Sequence, residues 1–263
     1  MGRVTLRVAA LGYLAALLLV PVALIGYRTF AHGIGPVLAA LGSAQAGRAI
    51  ELSLLVTAIS VPVNVVFGVG AGLLLARRRF PGRRLANLLI DLPFAMSPVV
   101  IGLAMYILYG RDGWAGRWLG DHGIQVLFSL PGIVLATALV SLPFVVREVI
   151  PVLEELGTDQ EQAAQTLGAG PWRTFWSVTL PAIRWAVIYG VVLSTARSLG
   201  EFGAVSIVSG NVIGQTQTLP LFVEERFRNF DTAGAYSAGF LLAVISLVIL
   251  ATMSLIGRRK ERS

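Results

Sequence analysis

Six long apolar runs, at residues 8–27, 50–76, 85–109, 127–147, 182–206 and 234–257, alternate with polar stretches along this chain. Each is close to the ~20 residues that a helix needs to cross the hydrocarbon of a bilayer. The pattern predicts an all-α membrane protein of six transmembrane helices. The first run is longer than a secretory signal and no small-residue cleavage site follows it, so it is expected to remain as a span. Several runs carry helix breakers: Pro62 and Asn64 in the second, Pro93 and Pro98 in the third, Pro143 in the fourth. A proline frees a backbone carbonyl that lipid cannot satisfy, so such sites face protein or a wet cavity, or are kinks tolerated within a bundle.

One polar stretch stands apart. From Glu154 to Pro181 the sequence reads EELGTDQEQAAQTLGAGPWRTFWSVTLP. Thr158 followed by Glu161 has the spacing of a capping box, which predicts a helix from about Asp159 to Leu167. Gly168 then supplies a left-handed C-terminal residue, and Pro171 suits the first turn of a second short helix. Ala163, Ala164 and Leu167 form a narrow apolar stripe whose small side chains let another protein approach the backbone.

Composition agrees with the membrane reading. Of 263 residues, 56% are hydrophobic and 13% charged, and the mean hydropathy is +0.77. No polar segment is long enough for a soluble domain. The absence of cysteine excludes disulfides, thiol catalysis and cysteine metal sites. The net charge of +7 comes from twenty arginines and one lysine, placed at the ends of apolar runs rather than in a nucleic-acid patch. Fourteen fall in alternate segments: Arg3 and Arg7; Arg77, Arg78, Arg79, Arg83 and Arg84; Arg147, Arg173 and Arg184; Arg258, Arg259, Lys260 and Arg262. The opposite segments hold six: Arg28, Arg48, Arg111, Arg117, Arg226 and Arg228. The positive-inside rule therefore puts both termini and the 154–181 stretch in the cytoplasm. Trp114 and Trp118 fall near the outer interface, and Trp172, Trp176 and Trp185 near the inner one.

Candidate chemistry is sparse. Gly68, Gly70 and Gly72 lack the strand and the Lys-Ser/Thr of a phosphate loop, and Gly68 with Gly72 reads as a small-xxx-small helix contact. His32 and His122 lie in separate outer loops, and no metal or hydrolytic constellation is present. In the fifth run Ala182, Ala186, Gly190, Ser194 and Ser198 recur every four residues, a smooth face for close helix approach. Beside it stand Arg197 and Glu201, roughly 24 Å from the cytoplasmic edge at ~1.5 Å per residue. A charge inside the bilayer costs ~2.5–3.5 kcal/mol on insertion scales, so the two are expected to pair. The pair is either structural or borders a pathway in which Arg197 offsets an anion, with Gly200 and Gly203 as a hinge. Leu219, Phe222, Val223, Phe227 and Phe230 predict a short outer amphipathic helix. It would serve as a platform, as a lid or as an interfacial helix lying on lipid.

The spacing of Ala163, Ala164, Gly168, Val178, Leu180 and Pro181 resembles the EAA loop of permease subunits in binding-protein-dependent ABC importers. The family's glutamate falls on Gln162, with Glu161 one place earlier. The segments ARSLGEFGA at 196–204, VSGN at 208–211, GQTQTLPL at 214–221 and DLPFAMSPVV at 91–100 resemble oxyanion permeases, above all the W-type subunit of the sulfate/thiosulfate importer. The resemblance implies a MetI-like bundle with its core at 48–257, an N-terminal helix and outer loop at 1–47 and a basic cytoplasmic tail at 258–263. It implies that Glu161, Gln162, Ala163, Ala164, Leu167, Gly168, Val178, Leu180 and Pro181 couple to an ATPase, and that Arg197, Gly200, Glu201 and Gly203 line the translocation pathway. It further implies a non-catalytic subunit of a bacterial inner membrane with no cofactor of its own. ATP would be bound by two partner subunits, beside a related permease and an extracytoplasmic sulfate-binding protein. The alternatives are the same machine for molybdate or tungstate, or a secondary transporter or membrane enzyme. The last two lack support, since there are no inverted repeats with broken helices and no intramembrane carboxylate or histidine cluster.

Overall fold

Helix α3 (Ala44–Arg77), helix α7 (Leu130–Leu156) and helix α10 (Leu180–Leu199) meet along faces of glycine, serine and valine, and this contact is the centre of the bundle. The structure is a computed structural model that describes residues 2–31 and 33–260, so His32 and Arg262 lie outside the described residues. A Cβ added at Gly68 would lie 2.7 Å from Val145 Cβ, one at Gly72 2.9 Å from Val149 Cγ1, and one at Gly190 2.9 Å from Val145 Cα. Fully buried Val145 of α7 is thus held between a glycine of α3 and a glycine of α10. One turn away Asn64 Nδ2 donates to Ser141 Oγ at 2.8 Å and lies 3.4 Å from Ser194 Oγ, while Ser198 Oγ donates to Ser141 Oγ at 3.2 Å. Side chains with nothing to offer but shape, next to side chains that hydrogen-bond one another, are what a helix contact needs where water is absent.

Contacts between α3 and α7 climb in step, from Ser60 with Val134 to Asn64 with Ser141, Gly68 with Val145 and Gly72 with Val149. The two helices therefore run parallel, and the chain between them must travel back along the bundle. Helix α4 (Arg83–Ala95) and helix α5 (Pro98–Tyr109) make that return as a broken pair bent by 114°. Helix α4 is fixed near the C-terminal end of α7 by Arg83 with Glu154 at 3.2 Å and by the Arg147 fork on Asp91 (Nε to Oδ1 2.6 Å). Helix α5 is fixed near the other end, where Ile101 and Met105 pack with Leu127, Val140 and Val208.

The remaining elements frame this core. Helix α1 (Gly2–Phe30) is peripheral and meets helix α13 (Thr232–Lys260) through Phe30 on Phe240 and through Thr29 Oγ1, which donates to Tyr236 O at 3.0 Å. Helix α2 (Ile34–Leu41) leads into α3, whose first turn is capped by Ser43 Oγ accepting from Ala46 N at 3.2 Å. Helix α6 (Trp114–Asp121) lies between α5 and α7. Helices α8 (Asp159–Thr166), α9 (Pro171–Thr174), α11 (Gly203–Val208) and α12 (Leu219–Arg228) complete the chain, with a π-helical turn at Phe175–Thr179 joining α9 to α10.

Among the described residues five helices are long and apolar enough to cross a membrane, and the bent pair, taken as one span, makes a sixth. The sixfold pattern holds, but three spans differ from the sequence reading. The span expected at 85–109 is two helices, because Pro98 has no N–H and pushes Ser97 to extended backbone (φ −62°, ψ 137°). The fourth continues past 147 to Leu156, drawing Glu154 and Glu155 into its last turn. The fifth is continuous from Pro171 through the π turn but ends at Leu199 rather than 206. It ends there because the Glu201 carboxylate turns to cap α11, accepting from Ala204 N at 2.8 Å.

The glycine contact is directly testable. A Cβ at Gly70 meets nothing within 4 Å, whereas one at Gly68 strikes α7. Gly68→Val should cost about 1–3 kcal/mol, the usual penalty of overpacking, and lower the thermal midpoint of the detergent-solubilised protein. Gly70→Val should leave the midpoint in place. Equal midpoints for the two variants would contradict this packing.

Candidate functional site

None of the residues of helix α8 is buried, a property it shares with α6. Its C-terminus closes as a Schellman motif: Ala169 N donates to Ala164 O at 3.0 Å and Gly168 N to Gln165 O at 2.9 Å, with Gly168 at φ +83°. Gly168 thus has the left-handed conformation that its position predicted, and Leu167 is the cap residue rather than the last helical one. Ala163 and Gln162 are exposed, Ala164 is half-buried, and the Leu167 side chain is 88% exposed. Trp172 and Trp176, which stack edge to face, extend this bare apolar surface.

The capping box does not form. The Thr158 side chain makes no bond to the helix backbone, and its hydroxyl instead accepts from Gln162 Nε2 at 2.8 Å. Glu161 is engaged elsewhere. Its Oε1 accepts from Arg77 Nη2 at 3.1 Å, Arg77 Nε at 3.3 Å and Thr179 Oγ1 at 3.0 Å. A charge-assisted bond to arginine outweighs a backbone cap at a solvated helix start. Gln162, at the place of the family's acid, points away from this knot. Val178 lines the small space between α8 and α10, Leu180 packs against the core around Val149 and Ile183, and Pro181 lies at the start of α10.

The second group of residues sits where α10 ends. Glu201 is buried, with its side chain 1% exposed, and its Oε2 lies 2.6 Å from Arg197 Nη2; Arg197 is 28% exposed. The approach is that of an ion pair and is not aligned as a hydrogen bond. Glu201 therefore has two tasks, neutralising Arg197 with one oxygen and capping α11 with the other. Gly200 is exposed, whereas a Cβ on Gly203 would meet Pro98 Cβ at 2.9 Å. Gly203 thus brings α11 onto α5, and the structure joins it to the broken pair rather than to Arg197.

The amphipathic helix expected after Thr218 is held by protein. In α12 Leu219, Leu221 and Phe222 are buried, and Leu219 N donates to Ser53 Oγ at 2.8 Å. Gln45 Nε2 donates to Gln217 Oε1 and Glu225 Oε2, each at 2.9 Å, and Arg226 Nη2 donates to Gln45 Oε1 at 2.6 Å. Phe227 and Phe230 remain exposed.

Sequence reasoning missed Arg77, Thr179 and the Asp91–Arg147 pair. Arg77 was read as one of a run of basic residues at a membrane edge. Spacing carries no direct signal for Arg77, since one turn beyond Gly72 the Asn64, Gly68, Gly72 stripe reaches buried Leu75.

Comparison with known proteins covers most of the chain. The family model described as "Binding-protein-dependent transport system inner membrane component" matches residues 68–262. The sulfate transport system permease protein CysW of Synechocystis sp. is 49% identical over 95% of this chain and 91% of that protein. CysW of Escherichia coli is 46% identical over 94% and 85%, and CysT of Escherichia coli 41% identical over 83% and 79%. The fold is similar to a crystal structure of a bacterial ABC transporter that imports the acidic polysaccharide alginate, with a TM-score of 0.79 at 17% identity over 97% of this chain and 94% of that one.

The pairing of Arg197 with Glu201 sets a stability expectation. Arg197→Leu leaves a buried carboxylate unpaired and should destabilise towards the low end of the ~3–5 kcal/mol seen on breaking buried pairs. Glu201→Leu also removes the cap of α11. The double variant should lose less than the two single losses combined, as a thermal double-mutant cycle in detergent reads directly. Additive losses would mean that the two charges do not interact.

Proposed function

The chain belongs to the family of binding-protein-dependent transport system inner membrane components, and from that premise we propose that it is the permease subunit of an ATP-driven importer for sulfate and thiosulfate. It is a membrane subunit and not itself an enzyme. The observation that carries the coupling role is α8, a helix closed at its C-terminus by Gly168 that buries none of its residues and offers Ala163 and Leu167 to a partner. An ATP-binding subunit docks there, and closure of two such subunits tilts the bundle between outward and inward openings. The identities to both CysW and CysT support pairing with a related permease in a heterodimer. At the opposite end of the bundle, α12 and the loop before it receive an extracytoplasmic sulfate-binding protein. Both termini and α8 lie on the cytoplasmic side of a bacterial inner membrane, a reading that the arginine distribution supports.

Arg197 is the residue we assign to the anion. Its guanidinium is partly accessible, while Glu201 behind it is buried. A dianion entering a low-dielectric path gains from a nearby cation, and the carboxylate keeps that cation from trapping the anion. Gly200 leaves the helix end free of side chain at this point.

Three measurements check the proposal. Copurified with its partner subunits in vesicles, the complex should accumulate labelled sulfate in an ATP-dependent manner; accumulation of molybdate instead would move the assignment to the alternative oxyanion. In the same vesicles the double variant Arg197→Leu with Glu201→Leu should retain its ATPase subunits yet import sulfate at least about tenfold more slowly, the factor that 1.4 kcal/mol of barrier supplies. Wild-type import by that variant would make Arg197 purely structural. A single cysteine at Ala169 should resist an impermeant thiol reagent in intact cells and react in inside-out vesicles, and the reverse pattern would invert the topology.

A further inference from the structure

Helix α8 is joined to the bundle at soft points. Gly157 precedes it with φ +61°, Gly168 follows with φ +83°, and Gly170 leads into α9. Backbone at glycine resists rotation least of any residue. A push on α8 carried by the chain alone would therefore be absorbed in these joints. Hydrogen bonds from its side chains do not help, with one exception. Gln162 and Thr166 bond within 158–166 itself, and among the described residues only Glu161 of α8 reaches another helix of the bundle.

That one contact gathers three long helices. Arg77 ends α3, and its Nη1 donates to Leu153 O of α7 at 2.6 Å, while its Nε and Nη2 hold Glu161. Thr179, at the head of α10, donates to the same carboxylate oxygen. The guanidinium sits at the C-terminal ends of α3 and α7, and the carboxylate in the first turn of α8, so each charge faces the helix dipole ends that favour it. The pair is largely withdrawn from water, with side chains 15% and 18% exposed.

We propose that the Arg77–Glu161 pair is a clamp that stays closed throughout the transport cycle and makes α8, α3, α7 and the head of α10 one rigid body. Glu161 is then a positioning residue that faces inward, and Gln162 is left as the residue that faces the partner. This inference deepens the importer reading and rests on it for the word transport, although the mechanical link itself does not.

The chain has no cysteine, so the clamp can be cut and rejoined in one variant. Arg77→Cys with Glu161→Cys removes both charges, and a bifunctional thiol reagent as long as the two lost side chains restores the link covalently. Two readouts are taken before and after crosslinking, with wild-type complex treated alongside. Before crosslinking, sulfate accumulated per ATP hydrolysed should fall roughly fivefold or more, within the usual range of coupling between sites, and amide exchange over 158–169 should rise. After crosslinking, both should return to wild-type values. Undiminished transport per ATP with the clamp cut, or a crosslinked complex that hydrolyses ATP without import, overturns the proposal. Failure of the wild-type complex to import sulfate would count against the functional reading instead, and the exchange measurement still decides the clamp: unchanged protection on cutting it sinks the idea.

Discussion

The bundle depends on how closely three helices approach at Val145. With lipid as solvent there is little hydrophobic gain in bringing apolar helices together, so association rests on dispersion contacts and a few internal hydrogen bonds. Those contacts require the backbones to come near, which glycine at 68, 72 and 190 permits. Once α3, α7 and α10 are locked at this distance, the rest is constrained. Helices α4 and α5 must run back between two parallel neighbours, α11 packs onto α5 through Gly203, and α12 packs on the start of α3.

Several polar side chains join two or three elements of this structure. Asn64 reaches two serines on two other helices, and a third serine closes the group. Asp91 binds the Arg147 fork, Glu201 serves both a guanidinium and a helix start, and Glu161 serves an arginine and a threonine. Carboxylates with several donors are the economical solution where each unpaired charge costs several kcal/mol. The arrangement also means that a single acidic side chain fixes the relation of two or three elements.

Much of this was legible in the sequence because it is periodic or local. The six apolar runs, the four-residue recurrence from Ala182 to Ser198, the left-handed Gly168 and the proximity of Arg197 to Glu201 all follow from spacing alone. What was illegible is long-range. Nothing near Thr158 indicates that Glu161 will be claimed by an arginine 84 positions earlier, so the capping box was a sound local inference overruled by tertiary contact. The two helix breaks were misplaced for related reasons. Pro98 was visible, but its effect on Ser97 reads equally well as a tolerated kink. Glu201 looked like one more residue of an apolar helix until its second oxygen found Ala204.

The π-helical turn at Phe175–Thr179 separates two settings that an ordinary helix would join. Buried positions run back from Ser198 through Ser194, Gly190, Ala186, Ile183 and Thr179 in steps of three or four, and then skip five to Thr174. One surplus residue has thus been inserted into the phase of the helix. In an α-helix a residue turns the chain by about 100°, so α9, which precedes the turn and carries Trp172, is rotated by about that angle against the bundle. The azimuth of α9 and the registration of the transmembrane core are therefore set separately, and a single residue deleted within this turn would swing α9 and Trp172 against an α8 that Glu161 holds to the bundle.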